Sequence, residues 1–182
     1  LRESNKTLHG LQIWVALPID LEECEPKFTH IEASDIPSWE QDGLKIKLIA
    51  GEAFGKKSPV PVHSHFYFVE IKSDKPQKVS IGDDLFGESA LYILEGSISS
   101  EGNTYDPKQI LVAKDSKLCE FEMAANTTVY IFGGEPFPEE RYINWNFVSS
   151  SKERLKKARQ DWIDQRFPKV EGETEFVPYP ST

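Results

Sequence analysis

Apolar and polar positions alternate with a period of two in several short runs of this chain. In Leu44-Lys45-Ile46-Lys47-Leu48-Ile49 the alternation is clean and predicts a half-buried strand with its lysine side in water. Leu118–Met123 repeats the pattern, with Cys119, Phe121 and Met123 set against Glu120 and Glu122. Leu11, Ile13, Val15 and Leu17 share a face in a third run, which Pro18 stops. Phe66–Ile71, Gln109–Ala113 and Val129–Phe132 are β-prone runs, and Phe28–Glu32 is read as a short strand. Turn residues separate these runs: Asp42-Gly43, Asp74 to Pro76, Gly102-Asn103, Asp106-Pro107 and Asn126. Gly51 to Pro61 is read as a loop. Short strands at this spacing predict an all-β barrel or sandwich.

The stretch Ser89–Ile98 organises the rest. Five consecutive apolar residues, Ala90 to Leu94, run into a Glu95-Gly96 turn, after which a strand restarts at once. That is the expected form of a central barrel strand. The period changes only near the C-terminus. Ser150 with Glu153 three residues later fits a capping box, and Leu155, Ala158 and Trp162 give an apolar stripe to about Phe167. Pro168 ends that predicted helix, and Phe176, Val177 and Tyr179 are expected to pin the tail.

Composition narrows the function classes. The 182 residues suit one domain with an appendage, and 38% hydrophobic content is enough for a core. With 30 acidic and 21 basic residues the formal charge is −9. The basic residues between Lys152 and Arg159 are interspersed along one helix, so direct nucleic-acid binding is not expected. No apolar run approaches the length of a membrane span, and no signal peptide is visible. Cys24 and Cys119 lack metal-ligand spacing and read as reduced thiols of a cytoplasmic protein. The single methionine is Met123 and residue 1 is Leu, so the chain is expected to be a piece of something longer.

Candidate chemistry is sparse. The histidines are His9, His30, His63 and His65. His63-Ser64-His65 followed by Glu70 has the form His-x-His-x4-Glu, the grammar of the first metal motif of cupin barrels. Imidazoles at i and i+2 on a strand can share one ion, and a carboxylate would suit iron, manganese or zinc. Glu70 has the opposite parity, however, and points to the other face of an unbent strand. The cupin pattern also needs a later His, and none follows His65, which rules out its four-ligand set. Two polar residues at a strand entrance are the plainer reading. Cys119 alternates with core residues and reads as packing. Cys24 lies in an acidic stretch, where a thiolate is disfavoured. Asp83, Asp84 and Glu88 could supply acid–base groups, although a solvated acidic loop is commoner. Gly133-Gly134 has no helix directly after it and is not a phosphate cradle.

Several motifs, in order, resemble the pirin family. His9-Gly10-Leu11-Gln12-Ile13-Trp14-Val15-Ala16-Leu17-Pro18 resembles the segment leaving that family's first cupin barrel. Ile49–Gly55 with Ser58-Pro59-Val60 is similar to the start of its second barrel, and Leu91–Gly96 and Phe132–Pro136 continue the match. Asn144–Arg154, Asp161-Trp162, Arg166-Phe167 and Glu175–Pro178 resemble the C-terminal helix and tail of bacterial members. The resemblance implies a bicupin whose N-terminal barrel binds a metal, usually iron, through three His and one Glu. Some members open flavonols as quercetin 2,3-dioxygenases, and others act as regulators bound to protein partners. Counting back from Leu94-Glu95-Gly96 puts the equivalents of the His-x-His pair at about Gly82 and Asp84.

The resulting expectation is an all-β cupin barrel, a double-stranded β-helix with one C-terminal α-helix. Residues 1–43 would be the inter-barrel linker and the strands leaving the absent barrel, 44–143 the cupin barrel, and 144–182 the helix and tail. No catalytic, cofactor-binding or metal-binding residue is assigned in this chain, and iron or another divalent metal is implied only for the missing N-terminal barrel. The expected role is a metal-free structural or partner-binding half. Its partners would be its own N-terminal cupin domain, a homodimer mate or another protein. The alternative is part of a quercetin 2,3-dioxygenase-type oxygenase.

Overall fold

The computed structural model of the protein describes residues 10–113 and 120–180. His9, Cys119 and the first part of the strand expected over Leu118–Met123 lie outside them. The chain divides into two compact units, Glu25–Pro138 and a second that joins residues up to Cys24 with Glu139 onward.

The Glu25–Pro138 unit is the predicted barrel. Its larger sheet contains β1 (Ser38–Gln41), β2 (Leu44–Ala53), β3 (Lys56–Lys57), β4 (Phe66–Ser73), β6 (Glu88–Glu95), β9 (Ile110–Ala113) and β11 (Thr127–Gly134). Their order is β1-β2-β4-β11-β6-β9, with β3 paired to β2. The smaller sheet has the order β5-β10-β7-β8, made from β5 (Gln77–Ser80), β7 (Ile98–Ser100), β8 (Asn103–Tyr105) and β10 (Glu120–Met123). Its pairings are all antiparallel. In the larger sheet strands distant in sequence become neighbours, as β4 and β6 do on either side of β11.

The alternation fixes which side chains point inward. Leu48, Tyr67, Val69, Ile71, Leu91, Ile93, Val129 and Ile131 from the larger sheet meet Val79, Ile98, Phe121 and Met123 from the smaller in one buried cluster. Burying each such aliphatic side chain stabilises the fold by about 1.5–3 kcal/mol. Strand β2 carries an irregularity between Leu48 and Ala50, so that Leu48 pairs with Val69 but Ala50 with Phe68. Such a bulge bends the strand. The expected central strand, Ser89 to Glu95, is β6, flanked by β11 and β9.

Two expected strands are absent. Residues 10–18 contain no strand, and Leu11 (43% exposed), Ile13, Trp14 (56%) and Val15 all remain open to solvent. Phe28–Glu32 is also irregular. Both have β propensity, but neither has a neighbouring strand here, and a strand forms only with one to pair with.

The second unit holds a hairpin, β12 (Tyr142–Asn144) with β13 (Phe147–Ser149), followed by α1 (Lys152–Ile163). The helix begins one residue later than the sequence suggests. Ser151 is its N-cap and accepts from Arg154 N at 3.3 Å. It also stops before Phe167, at Ile163. Trp145, Phe147, Trp162, Phe167 and Tyr179 form an aromatic cluster, with Trp145 5.2 Å from Trp162 and 5.3 Å from Tyr179 between ring centroids. The tail is pinned as expected. Tyr179 donates to Asn144 Oδ1 at 2.7 Å, Trp162 Nε1 donates to the Val177 carbonyl at 2.9 Å, and Phe176 stacks on Trp162. No helix among the described residues is long and apolar enough to cross a membrane.

Candidate functional site

The loop feeding β6 is where a cupin would offer ligands. Here Gly82–Asp84 form a short 3-10 turn. Continuing the His-x-His-x4-Glu grammar from Gly82 and Asp84 lands on Ser89. That residue is buried on the inner face of β6, with its hydroxyl 2.5 Å from the Tyr67 hydroxyl. Tyr67 is fully buried and also donates to the Glu88 carbonyl at 3.3 Å. Burial raises the Tyr67 pKa, against the opposing effect of its hydrogen bond to Ser89, so the phenol stays protonated. Gly133 permits this packing: a Cβ there would stand 1.9 Å from the Glu88 carbonyl oxygen and 2.6 Å from the Tyr67 hydroxyl.

A divalent ion would need several ionised or imidazole donors converging on one point. The three equivalent positions supply a glycine, a carboxylate and a hydroxyl already bonded to Tyr67. Among the described residues no buried side-chain polar atom lacks a partner, and no group of three His, Cys, Asp or Glu side chains converges. The described residues at this place do not fit a cupin metal.

His63 and His65 lie in a bend just before β4, and both are exposed. His65 stacks on Phe86 at 3.9 Å, and its Nδ1 is 3.1 Å from Glu135 Oε1. Phe86 in turn meets Tyr67 edge-on at 5.2 Å. His65 thus caps an aromatic stack above the Tyr67–Ser89 pair. Glu70 is elsewhere, as its parity indicates, on the outward face of β4. It accepts from Tyr130 at 2.7 Å and lies 3.2 Å from Lys72 Nζ and 3.7 Å from Lys47 Nζ. Burial raises the Glu70 pKa, but the bonds from Tyr130 and Lys72 and the charges of Lys72 and Lys47 outweigh it and hold the carboxyl below its usual range. Burial, then the Glu70 hydrogen bond, pushes the Tyr130 phenol up. Glu88 and Cys24 are exposed, and Gly134 ends β11 with no helix after it.

The more distinctive arrangement is the outer face of the larger sheet. Ala50, Phe68, Phe132, Ala90 and Val112 form one transverse row, and Lys47, Glu70, Tyr130, Tyr92 and Ile110 form the next. Ile110 (60%) and Val112 (67%) on the edge strand are well exposed. The signal for this face was present in the β6 sequence: an apolar run without alternation is the pattern of a strand covered on both sides.

Residues 68–168 match the pirin C-terminal cupin domain. Over 182 residues the chain is 39% identical to a pirin-like protein of Caulobacter vibrioides, covering 99% of this chain and 62% of that relative. Human pirin is 26% identical over 165 residues, covering 87% of this chain and 57% of its own length. A crystal structure of quercetin 2,3-dioxygenase from Acinetobacter baumannii superposes with a TM-score of 0.79 at 28% identity, covering 93% of this chain and 57% of that one. The chain thus spans about three-fifths of these relatives. The matched residues, the barrel and the C-terminal helix together show that this chain belongs to the pirin family, of which it carries the C-terminal cupin domain.

Proposed function

We propose that this chain is a metal-free, docking half of a bicupin, supporting a metal-bearing cupin barrel that precedes it in the parent protein. The observation that carries this reading is the outer face of the larger sheet, where half-buried Phe68, Phe132, Tyr130 and Tyr92 lead to the well-exposed Ile110 and Val112 at its edge. Large exposed apolar patches mark interaction surfaces. The Tyr67–Ser89 pair supports the metal-free part, because it fills with a neutral hydrogen bond the place where a ligand would stand. The relatives' additional length supplies room for the sister barrel, and the exposed run Leu11–Val15 is the segment that would join it. Produced alone, the chain is expected to pair with a second copy through the same face. The reading places it in the cytoplasm, where its thiols stay reduced.

Two measurements test this. After anaerobic loading with Fe²⁺ and desalting, elemental analysis should find iron well below one per chain. Retention of one iron per chain, lost on His65→Ala and Glu135→Ala substitution, would instead place a metal at the barrel mouth. Light scattering should find a dimer, and a monomer at high protein concentration counts against the docking face.

The likeness to the Acinetobacter dioxygenase favours a second reading, in which the chain is part of a quercetin 2,3-dioxygenase-type oxygenase. The chemistry would then be metal-assisted opening of a flavonol ring by O₂. Flavonol turnover by the iron-loaded chain alone would favour it over the scaffold role.

A further inference from the structure

Glu22, in the unit that carries the C-terminal helix, is held by many partners. A 3-10 turn presents it: Leu21 N donates to the Pro18 carbonyl at 2.9 Å, and Glu22 N to the Ile19 carbonyl at 3.3 Å. Its carboxylate, 6% exposed, accepts from Ser149 Oγ at 2.9 Å, Ser150 N at 2.8 Å, Ser150 Oγ at 3.2 Å and Arg154 Nη1 at 2.8 Å. Arg141 Nε is 3.4 Å away, and the same guanidinium donates to the Leu17 carbonyl at 3.1 Å and 3.3 Å. Both ends of the segment from Leu17 to Glu22 are therefore tied to the β12–β13 hairpin and the start of α1.

Most of these ties run through a single carboxylate, the others being the Leu17 carbonyl to Arg141 and Glu23 to Arg154. The rest of the unit does not need it, because the hairpin, α1 and the tail are joined by the aromatic cluster and by the Tyr179 and Trp162 hydrogen bonds. The charged groups facing Glu22 are Arg141 from the hairpin and Arg154 from α1. Each has a second acidic partner, Glu139 for Arg141 and Glu23 for Arg154. When residues 17–24 leave, Arg141 keeps Glu139 as a counter-charge, and Arg154, whose side chain is 40% exposed, is solvated by water, which lowers the obstacle to release.

We propose that residues 17–24 form a strap latched by the Glu22 carboxylate, and that the strap opens on its own while the barrel and the hairpin–helix core stay folded. Closed, it couples α1 to the exposed run Leu11–Val15; open, that run moves independently of the helix. This does not rest on the docking role, because the strap is tested within this chain. Burial works against the ionised carboxyl, but the Ser150 N–H, the two serine hydroxyls and Arg154 outweigh it and lower its pKa. The latch is therefore complete above the ordinary carboxylate value and is lost as pH falls through the lowered folded value.

Hydrogen exchange read by mass spectrometry on the full chain tests it. In Glu22→Gln at neutral pH, amides of residues 17–24 should exchange at least about 100-fold faster, with β4, β6 and β11 unchanged. The wild type should show the same local change in acid, after correction for intrinsic rates. Arg154→Lys, which keeps the charge but loses the fork geometry, should give an intermediate rate. Unchanged protection at 17–24 in both Glu22→Gln and Glu22→Ala overturns the proposal. So does an equal loss of protection across the barrel strands.

Discussion

The two sheets of one barrel treat their outer faces differently. On the smaller sheet Lys78, Glu122, Ser99 and Thr104 form an outward row, beside Ser80 and Glu120, with Lys78 2.9 Å from Glu120. Every one of these positions is at home in water. On the larger sheet the corresponding rows are Ala50–Phe68–Phe132–Ala90–Val112 and Lys47–Glu70–Tyr130–Tyr92–Ile110. The inner faces are equally apolar, so core formation does not explain the contrast. A sheet facing water alternates; a sheet covered on both sides does not. The larger sheet has the composition of the second kind, and the carboxylate in its central rows is itself sheltered, with Glu70 11% exposed at its side chain.

The comparison can be broken in stages. The largest effect belongs to the shared interior. Ile131→Ala should cost about 2–5 kcal/mol in denaturant unfolding, because it opens a cavity in a fully buried position. Its neighbour Tyr130, one residue away but outward, should behave differently. Tyr130→Phe leaves Glu70 without its phenol donor, a cost of about 1–3 kcal/mol. That loss has a pH signature. A carboxyl whose folded pKa is lowered contributes stability above its unfolded value and loses it as pH falls through the folded one. Removing Tyr130's bond lessens the lowering, so acid unfolding of the variant should begin at a higher pH than in the wild type. Ser89→Ala should cost about 1–2 kcal/mol by removing the shorter of the two Tyr67 hydroxyl hydrogen bonds and leaving only the one to the Glu88 carbonyl, without changing metal content. The smallest effect is expected on the water-facing sheet, where Ser99→Ala should stay within about 0.5 kcal/mol of wild type.

Much of this architecture is legible in the sequence. Leu44, Ile46 and Leu48 face inward with lysines between them, as their alternation requires, and Glu70 stands apart from His63 and His65 because of its parity. Gly96 follows β6 in the expected turn. What sequence could not supply depends on partners remote along the chain. Leu11–Leu17 sets Leu11, Ile13, Val15 and Leu17 on one face yet has no ladder, since periodicity states which face is apolar and not whether a neighbour exists. The capping box at Ser150 lies one residue before the true cap, because three consecutive serines make equally good caps by sequence and only the backbone at Ser151 chooses among them. The tie between Glu22 and Ser149–Arg154 spans well over a hundred residues and leaves no local mark. Ser89 in place of a ligand becomes meaningful only once Tyr67 is seen beside it.

The docking role proposed for the outer face of the larger sheet requires that this face be covered in solution. Light scattering on the wild type, on a Tyr92→Lys/Val112→Lys double variant and on a Ser99→Lys/Thr104→Lys control measures it directly. A dimer is expected for wild type and control and a folded monomer for the larger-sheet variant. A wild-type monomer, or a dimer that survives the larger-sheet substitutions and dissociates in the control, would contradict it.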